Sequence, residues 1–316
     1  MLLTGFIIKF NFNDCLIYFF MYKFNSIFNF TIFKFISPKA IYLFGIFTNM
    51  LMLSVIKYIG LAGVLTIPEV ICLRTTFAFL LLLPFNIKEF GKIKTNGKID
   101  KKIVLYLLIL GIIAGISAYV WNIGLQTVPL NNAMILLFIS PIITAVISHL
   151  LLGEKITKQI KMSFAINLIA VFLIYRFAFK GFNIGYLLLF TDFLIYAFIM
   201  ILIKKLPAFS ANFLVFIRLA ILLPISWLVI HKIPEINIKV AVFSVVVSFA
   251  YIIERTCITI TAKRIPIAEI QPLRYFNLVF SAGLSFLILG EPLTSYQIIG
   301  MSIIIIGAIF VRKIKN

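Results

Sequence analysis

Two stretches decide how this chain folds: "LLLGEKIT" at 150–157 and "LILGEPLT" at 287–294. Each ends a long apolar run, and each writes Gly-Glu at the same place. Shifting the first copy by 137 residues lays Gly153-Glu154 on Gly290-Glu291, Pro129 on Pro266, Ala145 on Ala282, Ser148 on Ser285 and Thr157 on Thr294. Matched leucines are cheap in such a chain; a matched proline, Gly-Glu and threonine are not. The flanks repeat more loosely: Arg74 before "LLLLP" recurs as Arg218 before "ILLP". Two similar units follow each other in one chain.

Composition says what solvent these units meet. The chain of 316 residues is 63% hydrophobic and 12% charged, where a soluble domain carries about 25% charged residues. So few charges cannot cover a water-facing surface, and runs long enough to span a bilayer recur from 41 to 312. Hydropathy and punctuation predict ten helices, near 40–57, 66–86, 102–122, 131–152, 160–178, 183–203, 211–230, 239–258, 267–288 and 296–311. Helices are expected because backbone groups in lipid must be satisfied within the segment.

The reading is an all-α integral membrane protein of ten transmembrane helices in an inverted 5+5 repeat. Its first five-helix unit is 38–180 and its second 181–316. An odd number of helices per unit inverts the second, the pattern of secondary transporters, which bind substrate near the midplane between the units. Lysine and arginine set the orientation: twenty fall on the N-terminal side of the alternation, and five (Lys57, Arg176, Lys180, Lys232, Lys239) on the other. That bias places both termini in the cytoplasm. Residues 1–37, rich in Phe, Asn and Lys, are too interrupted to span; they read as an interfacial extension or as a start-site artefact.

The net charge of +19 sits in short loops, so topology accounts for it and no nucleic-acid partner is expected. Cys15, Cys72 and Cys257 form neither a metal spacing nor a disulfide framework. No P-loop, metal-ligand cluster or nucleophile–base set appears. The chain reads as no enzyme, with no cofactor and no metal. Its expected partners are a small-molecule substrate and the lipid bilayer, with a homodimer left open.

The turns have a local explanation. Glycine ends a helix tightly, Thr294 with Gln297 fits a capping box, and Glu154 and Glu291 lie where a helix N-terminus favours negative charge. The turn reading outweighs a direct substrate or proton role. Elsewhere, intramembrane polar residues are the candidates, because a charge in lipid needs a partner or a wet cavity. Arg274, with Tyr275, Gln271 and Asn277, heads the list of cavity residues, since a guanidinium forks onto a carboxylate or phosphate. Tyr251 and Glu254 lie on one face of helix eight, with Glu254 and Arg255 expected near its end, reaching for water. Asp192 and Glu254 are candidates for a proton or charge relay. Trp121 could stack on a flat group. Arg74 and Arg218, at matching places, are expected to pair structurally with loop carboxylates.

The stretches "YVWNIGLQTVPLNNAMILLFISPIITAVISHLLLGEKIT" (119–157) and "IPIAEIQPLRYFNLVFSAGLSFLILGEPLTSYQIIGMSIIIIGAIF" (265–310) resemble the EamA-type transporters of the drug/metabolite transporter superfamily. The resemblance covers about 40–312. It implies ten helices, an inverted repeat and a central cavity, in a multi-pass protein of a bacterial inner membrane. Within the family, "PLRYFNLVFSA" is similar to bacterial S-adenosylmethionine uptake transporters. An acidic residue commonly stands three after the arginine there; here it is Asn277, a departure that weakens a cation-binding role at that position. The implied function is S-adenosylmethionine uptake by alternating access. Other metabolites such as amino acids, a lipid-carrier flippase and a non-transporting assembly protein remain as alternatives.

Overall fold

The computed structural model describes residues 35–312 except 62–64, 96–97, 129–132, 134–135, 176–182, 231–233 and 291. The chain falls into two compact units, 1–37 and 38–316, and the architecture below belongs to the second. The expectations for 1–34, for the boundary at 180/181 and for Glu291 lie outside the described residues.

Ten principal helices are described: α1 (Pro38–Leu61), α2 (Ile67–Asn86), α3 (Lys101–Thr127), α4 (Ser140–Leu152), α5 (Lys158–Tyr175), α6 (Ile184–Lys205), α7 (Ala211–Val229), α8 (Ile238–Arg264), α9 and α10 (Ser295–Arg312); a 3-10 stretch Ile87–Ile93 follows α2. α9 comes in three pieces: an α turn Ile267–Ile270, a 3-10 stretch Gln271–Tyr275 and an α-helix Phe276–Leu289. Six of the segments are long and apolar enough to cross a membrane. One departure from pure helix is a two-residue antiparallel pair in the α2–α3 link, with Lys94 opposite Ile99.

Capping side chains explain the starts. Asp100 accepts from the amides of Lys102 and Ile103, Asn183 from Gly185, Ser210 from Phe213 and Asn237 from Val240. Each satisfies donors that a first turn leaves open. Thr294 and Gln297 form the reciprocal box that the sequence predicts, the Thr294 amide donating to the Gln297 carboxamide at 2.8 Å and the Gln297 amide to the threonine hydroxyl at 3.3 Å.

The repeat is written in the backbone. α8 lies 137 residues after α3 at both ends, and α10 lies 137 after α5 at both ends. The two Gly-Glu turns share one conformation: Gly153 has φ 69° and Gly290 φ 68°, the left-handed cap that glycine adopts without strain. Packing repeats as well. α1 packs on α8 as α6 packs on α3, α9 on α1 as α4 on α6, and α8 on α2 as α3 on α7; α2 with α7 and α5 with α10 pair equivalent with equivalent. Each of these contacts joins helices from different repeats, and each has its exchanged counterpart, so the packing has a pseudo-two-fold arrangement.

α5 and α10 approach closely through two glycines of α10. A methyl group at Gly300 would overlap the Ile174 side chain, and one at Gly307 the Asn167 side chain. Behind this pair, Ser163 donates to the Gly307 carbonyl at 2.8 Å and Asn167 to the Pro272 carbonyl at 3.4 Å. The second bond serves a carbonyl of the irregular α9 stretch, where Pro272 can donate no amide to a helix ladder.

Candidate functional site

Eight of the ten helices send polar side chains to one region; α5 and α10 stay behind it. α8 supplies the centre. Glu254 and Arg255 lie at 2.9 Å, Oε2 to Nε, ten residues before the helix ends at Arg264, which is about 15 Å at helical rise. The sequence reading ended this helix near 258 and sent the pair to the interface. The run Thr256–Thr261 lowers hydropathy, but the Thr259 and Thr261 hydroxyls donate to the carbonyls of Arg255 and Cys257 within the helix, so the helix continues. Glu254 is buried with 4% of its side chain exposed, while Arg255 keeps 28%.

Tyr251, one turn earlier, lies between two cations. The Arg74 guanidinium is 4.3 Å from its ring centre and that of Arg255 5.2 Å, both within cation–π range. Arg218 is buried and interacts electrostatically with Tyr251, Arg255, Glu254 and Tyr196. Arg74 and Arg218 therefore converge on the α8 cluster rather than on loop carboxylates. Each keeps a buried Nε with no hydrogen-bond partner among the described residues.

α9 brings Arg274. Its guanidinium lies 4.1 Å from the Tyr196 ring centre and donates to the Ser140 hydroxyl at 3.2 Å. Tyr196 shares a side-chain hydrogen bond with Tyr42, which also interacts with Arg274 and Glu254. Asp192, one turn before Tyr196, accepts from the Ser117 hydroxyl at 2.5 Å and interacts with Arg274 and Arg255. Gln271 is fully buried, and neither end of its amide has a partner among the described residues. The Asn277 carbonyl oxygen is likewise buried without one.

The sequence candidates thus divide. Arg274, Gln271, Tyr251, Glu254, Asp192, Arg74 and Arg218 belong to the cluster or its edge. Tyr275 is built into the packing: fully buried, it stacks on Phe138 and donates to the Phe138 carbonyl at 2.7 Å. Trp121 packs on the apolar group of Val128, Ala133, Leu189 and Phe193. Glu154 bridges units instead, at 2.5 Å from Lys204 on α6 and accepting from the Ala268 amide of α9 at 3.0 Å. Sequence reasoning missed Tyr196, Tyr42, Ser117 and Ser140. Only Tyr196 carried a signal, four residues after Asp192 and so on its face.

The scaffold is two-fold, and Arg74 and Arg218 repeat with it, but the chemistry of α8 and α9 does not. At the 137-residue shift, Tyr251, Glu254, Arg255 and Arg274 correspond to Ala114, Ser117, Ala118 and Leu137. Among the described residues, no group of three or more His, Cys, Asp or Glu side chains is placed to hold a metal ion.

A duplicated bundle of apolar helices around a buried polar cluster defines a multi-pass membrane protein. The EamA-like transporter family model matches residues 58–176 and 183–313, one match for each repeat, and the chain belongs to that family. A solved crystal structure, 16% identical, superposes with a TM-score of 0.70, covering 89% of this chain and 100% of that one; at that identity it speaks for the fold alone. No curated protein matches the chain.

Proposed function

We propose that this chain is a secondary transporter that moves a small polar metabolite across a bacterial inner membrane by alternating access. In this reading, ten spans form an inverted repeat of two five-helix units, 38–180 and 181–316, with both termini in the cytoplasm. Family membership and the exchanged packing of the units support it. The observation that carries it is the polar cluster between the units: guanidiniums from α2, α7, α8 and α9 gathered around Tyr251, Glu254 and Tyr196, with a fully buried amide at Gln271, three residues before Arg274, that has no partner among the described residues. Buried polar groups without partners are costly, and intramembrane charges mark substrate pathways. A non-transporting assembly protein has no use for them.

S-adenosylmethionine enters as the first compound to test, because "PLRYFN" drew the resemblance, and amino acids come next. The experiment is uptake of a labelled metabolite panel by cells expressing the chain, beside cells expressing Arg274→Ala. Uptake that falls at least tenfold in the variant is expected. Absence of uptake across the panel overturns the transport reading; full uptake by the variant removes Arg274 from the site.

A further inference from the structure

We infer that the group this site recognises is an oxyanion, and that the preferred substrates are net-anionic metabolites bearing a carboxylate or phosphate; the inference rests on the transport reading. Charge count carries it. Among the described residues, four guanidiniums enter the cluster, from Arg74, Arg218, Arg255 and Arg274, against two carboxylates, Asp192 and Glu254.

The two carboxylates are already engaged. Glu254 lies against Arg255, and Asp192 takes the Ser117 hydroxyl. Arg74, Arg255 and Arg274 rest on tyrosine faces, which attract a cation but do not neutralise it. Arg74 and Arg218 each keep a buried Nε–H donor without a hydrogen-bond acceptor among the described residues. Arg255 Nε and Glu254 Oε2, 2.9 Å apart as an ion pair, are likewise without a hydrogen-bond partner among the described residues. What the region lacks is negative charge to match its four cations. A carboxylate or phosphate supplies it, and the guanidinium fork matches it in two bonds at once. A cationic substrate would instead raise a positive excess in a region of low dielectric.

The test uses the purified full chain in phosphatidylcholine proteoliposomes. Counterflow is measured with succinate, glycerol 3-phosphate, glutamine, S-adenosylmethionine and agmatine, and thermal stabilisation by the same compounds is read on the detergent-purified protein. Succinate or glycerol 3-phosphate is expected to exchange at least tenfold faster than S-adenosylmethionine or agmatine. Arg218→Gln and Arg274→Gln are expected to remove that preference, and Arg274→Lys, which keeps the charge, to restore part of it should the glutamine variants fail to fold. Faster exchange of the cations, or equal exchange across charge classes, overturns the inference while leaving transport intact. Stabilisation by the anions without counterflow keeps the inference and overturns transport. Neither binding nor exchange by any compound overturns both. A parallel set of proteoliposomes containing phosphatidylglycerol separates sources: loss of the soluble anions' effect there assigns the oxyanion to a lipid headgroup and overturns the metabolite form.

Discussion

The hydroxyl of Tyr275 donates to the carbonyl of Phe138 at 2.7 Å, and their rings stack at 5.6 Å between centres. The two residues stand 137 positions apart, so each is the other's equivalent in the repeat. Equivalent residues touch only where a two-fold axis passes between them. This contact therefore marks the axis of the duplication, at the junction of the irregular α9 stretch with α4.

Tyr275→Phe keeps the stack and removes the hydrogen bond. A net loss of about 1 kcal/mol is expected, the usual worth of a buried hydrogen bond. Thermal melting of the detergent-purified protein would register it as a drop of a few degrees. Substrate preference should not change, because Tyr275 lies in the packing and not in the polar cluster.

Gln271→Met tests the opposite balance. The substitution keeps an unbranched side chain of similar size and removes a buried amide that has no partner among the described residues. Stability is expected to rise by about 1–2 kcal/mol, the penalty of an unsatisfied buried polar group, while uptake falls. A melting temperature that drops together with uptake would show that the amide serves the fold.

Much of the architecture was legible before any coordinates. Apolar runs and their Lys, Arg, Gly and Pro punctuation placed the helices, and the aligned Pro, Gly-Glu and Thr exposed a repeat that recurs in helix ends and glycine torsions. The site was legible only where rare residues stood in apolar runs, as at Arg274, Asp192 and Glu254. Tyr42 was invisible because 12 tyrosines and 34 phenylalanines make an aromatic residue uninformative here, and Tyr196 stood out only by its spacing from Asp192. The depth of Glu254 was misjudged because hydropathy counts a threonine hydroxyl as polar even when its own helix satisfies it.

Glu154→Gln should loosen one end of the bundle. The carboxylate holds Lys204 and caps the Ala268 amide, and it retains little exposure. Hydrogen exchange is the measure. The Ala268 amide is expected to exchange about fivefold faster, the equivalent of roughly 1 kcal/mol for a weakened cap. An unchanged rate would leave the bridge without a role in closing that end.

Gly300→Leu should part α5 from α10, because the Ile174 side chain already fills the space above this glycine. Overpacking of this kind costs about 1–3 kcal/mol. Gly283→Ala, at a glycine with open space around it, serves as the control and should leave the melting temperature within a degree.

The one-sided placement of the α8 and α9 charges has a bearing on ancestry. Two copies of the first half, facing one another, would meet with Ala114, Ser117, Ala118 and Leu137 at the centre and carry none of the α8 and α9 groups. Two copies of the second half would bring two Glu254–Arg255 pairs and two Arg274 guanidiniums into the same space. Halves joined in one chain, free to diverge from one another, hold these groups at a single dose.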